Sequence, residues 1–356
     1  MHQSTQSPSR LSIGVDLGDR YSHLFVLDPQ GGEVLEEGRI RTSRESFVQR
    51  FSSMAPALIA IETGTHSPWV SQILEAAGHE VVVANARKTR LIYENDSKSD
   101  RVDAEMLARL VTADRSLLHP TRPRSSETQA HRAVVIARDG LVASRTRIIN
   151  AVRGMVKSSG SRLPTCSTPA FHRVVRPHVS SELQPAVLPL LDTLELLQRK
   201  IREYDKTVEQ ISLSYAATQR MRQVPGVGPL TALWYVLTLE DPARFERSRD
   251  VGSFVGLRPA RKSSGRSDPE MRITKAGDRM LRRLLVQCAQ YILGRFGPDS
   301  DLKRWGTALA ARGGKKAKKR AVVAVARKLS VLLHRLWVNQ DPYEPLRNAQ
   351  RAANAG

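Results

Sequence analysis

Residues 97–105, Ser-Lys-Ser-Asp-Arg-Val-Asp-Ala-Glu, place Asp100 and Asp103 three residues apart, and one turn of helix brings such a pair to one face. Val102, Met106, Leu107 and Leu110 recur behind them at helical spacing, which predicts a packed helix with both acids at its N-terminal end. Two further acids close apolar runs: Asp16 ends Leu-Ser-Ile-Gly-Val-Asp and Glu62 ends Ala-Leu-Ile-Ala-Ile-Glu. Each has an ordinary reading alone, because acids cap helices and end strands as turn formers. Four carboxylates in one place repel unless cations neutralise them, and hard oxygen ligands suit Mg²⁺ or Mn²⁺. Two such ions about 4 Å apart activate a nucleophile and stabilise a leaving oxygen in phosphodiester cleavage.

A second reactive arrangement lies in Gly256-Leu-Arg-Pro-Ala-Arg-Lys-Ser-Ser264-Gly-Arg-Ser. Ser264 precedes a glycine that allows close approach, and Arg261, Lys262 and Arg266 are placed to stabilise charge on a reacting phosphate. On these residues alone, a nucleophile and a flexible serine-rich turn both remain open. Upstream, Val224-Pro-Gly-Val-Gly-Pro-Leu-Thr-Ala matches a helix-hairpin-helix type of turn, where Gly226 and Gly228 let backbone N–H groups meet a phosphate. A tight turn inside a helical domain is the competing reading.

The elements that must position these residues follow from periodicity. A strand ending at Asp16 is followed by strands over 21–27 and 33–41 joined by Asp-Pro-Gln-Gly-Gly. Ser43 caps a helix to about residue 54, a fourth strand covers 57–62, a helix 68–77 stops at Gly78, and a fifth strand covers 79–85. Three meandering strands and then alternating helices and strands are the order of an α/β ribonuclease H-like (RuvC-like) fold. There the first and fourth strands are neighbours, so Asp16 and Glu62 are expected to meet at their carboxyl ends.

Downstream, a basic helix over 126–157 carries Arg132, Arg138, Arg145, Arg147 and Arg153 among apolar positions, suited to a phosphate backbone or simply to solvent. Residues 158–185 read as linker. Val187, Leu190, Leu194, Leu197, Ile201, Tyr204, Val208, Ile211 and Tyr215 alternate spacings of three and four, a coiled-coil seam. It pairs with the basic helix or forms a dimer, the latter being the expectation adopted. Helical patterns cover 280–291, 302–311 and 321–338. Between the last two, Lys315, Lys316, Lys318 and Lys319 sit in a basic run suited to phosphates.

Gly14-Val-Asp16, Ile61-Glu62-Thr-Gly-Thr-His66 and Lys98-Ser-Asp100-Arg-Val-Asp103-Ala resemble the signature blocks of the DEDD transposases of insertion sequences. Pro225-Gly-Val-Gly, Gly256-Leu-Arg-Pro, Ser264-Gly and Thr274-Lys-Ala-Gly277 resemble their C-terminal transposase domain. The resemblance runs from about residue 11 to 345. It implies that Asp16, Glu62, Asp100 and Asp103 form an acidic tetrad holding divalent metal, and that Ser264 is the nucleophile of a DNA recombinase. It also implies phosphate-contacting roles near Lys275 and a structured non-coding bridge RNA as guide. A homo-oligomer, dimer or tetramer, is implied as well, the serine domain of one subunit completing the nuclease site of another. His66 stands where the family carries an aromatic Tyr. A metal-dependent junction resolvase or nuclease without a covalent intermediate is the alternative.

Composition agrees with a polyanionic partner. The 356 residues carry a formal net charge of +21, unevenly spread: residues 1–120 hold 13 Lys/Arg against 16 Asp/Glu, and the rest 43 against 19. The basic surface therefore lies outside the first domain, with DNA and RNA as leading partners. Aromatic residues at 5% make base stacking a minor mode. No apolar run approaches the roughly 20 residues of a membrane span, so no membrane partner is expected. Cys166 and Cys288 form no CxxC pair, and a bacterial, cytoplasmic, nucleoid-associated setting is expected. The expected domains are 10–120, a RuvC-like nuclease; 121–217, basic helix, linker and coiled coil; and 218–345, an all-α transposase domain with the serine.

Overall fold

The computed structural model describes residues 10–28, 32–85, 99–121, 124–261, 270–314, 316–348 and 350. The chain divides between Ser126 and Glu127 into two units.

In the N-terminal unit β1 (Ser12–Leu17), β2 (Tyr21–Leu27) and β3 (Val34–Arg41) form an antiparallel meander. α1 (Arg44–Phe51) follows with Ser43 as its N-cap, then β4 (Leu58–Glu62), α2 (Ser67–Ala76), β5 (Glu80–Ala84) and α3 (Asp100–Ala113). β4 pairs in parallel with β1 and with β5, giving the order β3-β2-β1-β4-β5. This is the neighbour relation expected for Asp16 and Glu62. One face buries Ile13, Val15, Ile59 and Ile61 against Phe47, Phe51, Val70 and Leu74. The other buries Phe25 and Leu27 against Ala104 and Ala108, and Leu58 and Ala60 against Leu107, Leu110 and Val111. Burial on both faces is why β1 and β4 read as continuous apolar runs. β3, at the edge, is largely exposed and carries Glu36, Glu37, Arg39 and Arg41, charges that discourage edge-to-edge pairing.

In the C-terminal unit α4 (Ser126–Ser158) runs antiparallel to α6 (Gln184–Leu213). The contacts that fix this direction are His131 Nδ1 with Tyr215 Oη (2.7 Å), Arg138 Nε to Asp205 (2.8 Å) and Arg145 Nη1 to Gln198 (2.7 Å). Val187, Leu194, Ile201 and Val208 are buried as the heptad pattern requires. The second buried row, however, is Leu191, Gln198 and Ser212, one residue on from Leu190, Leu197 and Ile211. The stripe shifts because α6 also packs against α5 (Phe171–Val175) and α8 (Pro229–Leu239), and two flanking partners widen a two-helix seam. Part of that seam is filled from within the chain by Ile149, Val152 and Phe171.

Two expectations need correction. The stretch read as a linker folds into short helical turns and α5, because Phe171, Val175 and Val179 supply an apolar face that closes on α4 and α6. The C-terminal part is not all-α: β6 (Pro259–Arg261) and β7 (Glu270–Ile273) form an antiparallel ribbon. Around it lie α7 (Ala216–Met221), α8, α9 (Val251–Phe254), α10 (Arg279–Leu293), α11 (Asp301–Ala311) and α12 (Ala317–Asn339). Residues 231–239 of α8 are all buried, and Val135 and Val208 share this core, so the region 121–217 and the C-terminal part pack together.

Candidate functional site

Gly14 sets the geometry of the acidic site. A Cβ there would lie 1.9 Å from the Ala104 carbonyl oxygen, so a glycine is what lets α3 lie directly on β1. Alternation along β1 puts Asp16 on the same face as Gly14, the face α3 covers. Glu62 follows Leu58 and Ala60 on that face of β4, one step past the register pair Val15–Ile61. Asp16 and Glu62 therefore stand side by side at the carboxyl ends of adjacent strands, both half-buried.

The N-terminal end of α3 arrives at the same edge. His23, the cross-strand partner of Asp16, has Nε2 3.9 Å from Asp100 Oδ2. Asp100 and Asp103 occupy the first turn, but the N-cap is Ser99, whose Oγ accepts from the Val102 N–H at 3.4 Å. Neither acid is the capping residue, though both lie in the first turn, where carboxylates also complement the helix dipole. Arg101 reaches Glu37 of β3 at 2.6 Å, tying the first turn to the sheet. Among the described residues no three His, Cys, Asp or Glu side chains are gathered closely enough to hold a metal ion. The four carboxylates thus share one face and one end of the sheet without closing into a cage. Their donor set, four hard oxygen carboxylates, fits Mg²⁺ or Mn²⁺. His66 precedes α2, accepts from Trp69 Nε1 at 3.2 Å and lies 3.8 Å from Asp19.

Of the predicted serine loop, Lys262, Ser264 and Arg266 and the Arg261 side chain lie outside the described residues. The base of that loop is built tightly. Gly256 and Gly277 both have φ of +72°, and added Cβ atoms would lie 2.1 Å from the Ala276 oxygen and 2.0 Å from the Phe254 oxygen. Only glycine fits two backbones this close in that conformation. Arg282 Nη1 donates across both turns, to the Val255 (3.2 Å), Gly277 (3.0 Å) and Ala276 carbonyls. Lys275 is exposed with φ of +55°.

The remaining predicted nucleic-acid residues divide. Gly226 (φ +89°) faces the Tyr291 ring, 2.7 Å from an added Cβ, whereas Gly228 opens on free space. Arg145 is half-buried between α4 and α6, and burial lowers its pKa. Arg153 is exposed, its guanidinium 5.3 Å from the Phe171 ring centre. Lys316, Lys318 and Lys319 are exposed at the start of α12, and Lys315 lies outside the described residues. Sequence reasoning missed His23, which alternation on β2 places beside Phe25 and Leu27 on the α3 face. It also missed Arg282, which donates to the Val255, Ala276 and Gly277 backbone carbonyls, contacts that leave no trace in side-chain patterns.

A five-stranded mixed sheet with acids at the ends of β1 and β4, followed by a helical unit, is consistent with a DEDD nuclease-like domain and its helical partner. Comparison with known proteins makes this specific. Residues 13–160 match the family model for the DEDD transposase domain of IS110 type, described as "Transposase". Residues 218–303 match that of the transposase IS116/IS110/IS902 family. The chain is 29% identical over 303 residues to the transposase for insertion sequence element IS1328 of Yersinia enterocolitica, covering 84% of this chain and 89% of that one. It is also 29% identical over 340 residues to the transposase for insertion sequence element IS1111A of Coxiella burnetii, covering 93% and 90%. Over most of its length the chain is therefore similar to transposases of the IS110/IS116 type.

Proposed function

We propose that the chain cuts and rejoins DNA at the ends of a mobile element, using the Asp16, Glu62, Asp100 and Asp103 carboxylates as a divalent-metal site and Ser264 as nucleophile. The observation that carries this reading is the shared face and edge of Asp16, Glu62 and the first turn of α3, fixed by the close approach at Gly14. These carboxylates would hold divalent ions, which would supply charge stabilisation at a transferring phosphate. Ser264 Oγ forms a bond to phosphorus as the bond to the leaving deoxyribose oxygen breaks. The serine proton is released and the leaving oxygen takes one up. Attack by a second deoxyribose hydroxyl on the phosphoserine reverses the exchange and frees the serine. Gly256, Gly277 and Arg282 hold the base of the loop that carries it. The charge excess beyond residue 120 supports DNA and a structured guide RNA as partners, with the protein acting as a homo-oligomer in the cytoplasm.

The test is a denaturing gel for covalent protein–DNA adduct, with purified protein, Mg²⁺, element-end DNA and RNA transcribed from the flanking non-coding region. Adduct present in wild type and lost in both Ser264→Ala and Asp100→Asn is the expected result. Cleavage that persists in Ser264→Ala without adduct overturns the serine step in favour of hydrolysis.

A further inference from the structure

A groove of about 1650 Å³ opens in the C-terminal unit between α11, α12, the β6–β7 ribbon and the segment 341–348. α12 buries Ala321, Val325, Leu329 and Leu333 on its core side. Yet it also turns half-buried Val323, Val331 and Leu332 toward the groove, opposite Leu302, Trp305 and Leu309 of α11. Met271 of β7, 50% exposed, extends this apolar floor. The rim is strongly basic: among the described residues, eleven Arg and Lys side chains line the groove against three carboxylates. Arg320, Arg327 and Arg335 follow one another along the groove side of α12, which spans about 35 Å from end to end.

The structure assigns to this groove a single strand of DNA, with phosphates on the rim and unpaired bases on the floor; the inference deepens the proposed function and rests on DNA being its substrate. Charge complementarity selects a polyanion. The floor selects its form. Duplex DNA presents phosphates outward with its bases stacked inside, so it leaves the apolar strip unused, whereas a lifted strand offers base faces to it. The groove begins at Pro259 and Ile273 of the ribbon, so a strand held there leads to the base of the serine loop.

The full-length protein is titrated with a labelled single-stranded DNA, its duplex and the RNA of the same sequence, without metal. Arg320→Ala with Arg335→Ala, both exposed, is compared with Arg199→Ala plus Arg202→Ala on the exposed side of α6. We expect the groove pair to weaken single-strand binding about tenfold and to reduce the salt slope by roughly 0.7 per arginine. Duplex binding and the α6 pair should change little, and Arg320→Lys with Arg335→Lys should restore affinity. Strand containing 5-iododeoxyuridine should photocrosslink to peptides holding Met271, Trp305 or Tyr343. Equal losses in both pairs, crosslinks confined outside the groove, or binding of the RNA strand alone each overturn the assignment. Because neither metal nor Ser264 is needed for these readouts, failure of the adduct assay and failure of the groove are separately visible.

Discussion

The two units hold the residues proposed for chemistry in opposite ways. Asp16 and Glu62 are the last steps of central strands packed on both faces, so their backbone positions are fixed by the same burial that makes the sheet. The serine loop instead leaves a ribbon anchored at its base, where two positive-φ glycines interlock and one arginine bridges them. Moving an acid therefore requires unpacking a core, whereas the anchor of the ribbon rests on two glycine turns and one arginine. The difference predicts that perturbations beneath the strand-end acids act through global stability, and those at the glycine clasp of the ribbon through local geometry.

The largest expected effect is that of Gly14→Ala. Its methyl would fall against the Ala104 carbonyl, and overpacking of this severity costs about 3 kcal/mol or more, displacing α3 and both of its acids. Urea unfolding should show the loss; an unchanged midpoint would mean α3 does not rest on β1 as described. Next in size is Gly277→Ala, which combines strained φ with a clash at the Phe254 oxygen and should cost about 2 kcal/mol. Adduct formation should fall while Mn²⁺ binding by the N-terminal unit is retained; loss of both would erase the distinction between the units.

Arg145→Ala should cost about 1–2 kcal/mol by leaving buried Gln198 without its charged donor, whereas exposed Arg153→Ala should leave the unfolding midpoint unchanged. Reversal of that order, read by thermal melting, would show Arg145 to be a surface contact. The smallest effect concerns His334, buried between Ser248 and Pro242 (3.0 Å to each). Desolvation lowers its pKa, so the neutral form is favoured in the fold. Its stabilisation is full above the ordinary histidine value of about 6.5 and erodes as pH falls below it, because the unfolded chain gains a proton first. His334→Gln should flatten the acid limb of Tm against pH.

How much of this was legible in the sequence follows from how each feature is encoded. Asp16 and Glu62 were readable because apolar runs ending in acids are contiguous, and Asp100 and Asp103 because a first turn is local, whereas the capping Ser99 was not singled out. The half of the α6 seam at Val187, Leu194, Ile201 and Val208 was readable for the same reason. Its other half was not, since Gln198 and Ser212 are buried only by partners distant in sequence. Phe171 and Val175 hid in a Pro- and Arg-rich stretch that reads as loop until α4 and α6 supply walls. Gly14 was visible only as a residue of a motif, because the carbonyl it accommodates lies 90 residues away. The basic groove is assembled from ribbon, two helices and a terminal segment, so no single window contains its pattern.

The most direct test of the central claim, that the four carboxylates are one metal site, is Mn²⁺ binding followed by water-proton relaxation in wild type, Asp16→Asn, Glu62→Gln, Asp100→Asn and Asp103→Asn. Wild type is expected to bind Mn²⁺ and every single variant to bind it markedly more weakly, with circular dichroism unchanged. Undiminished Mn²⁺ binding in Asp16→Asn and Glu62→Gln would contradict it, leaving these strand-end acids without a shared ion.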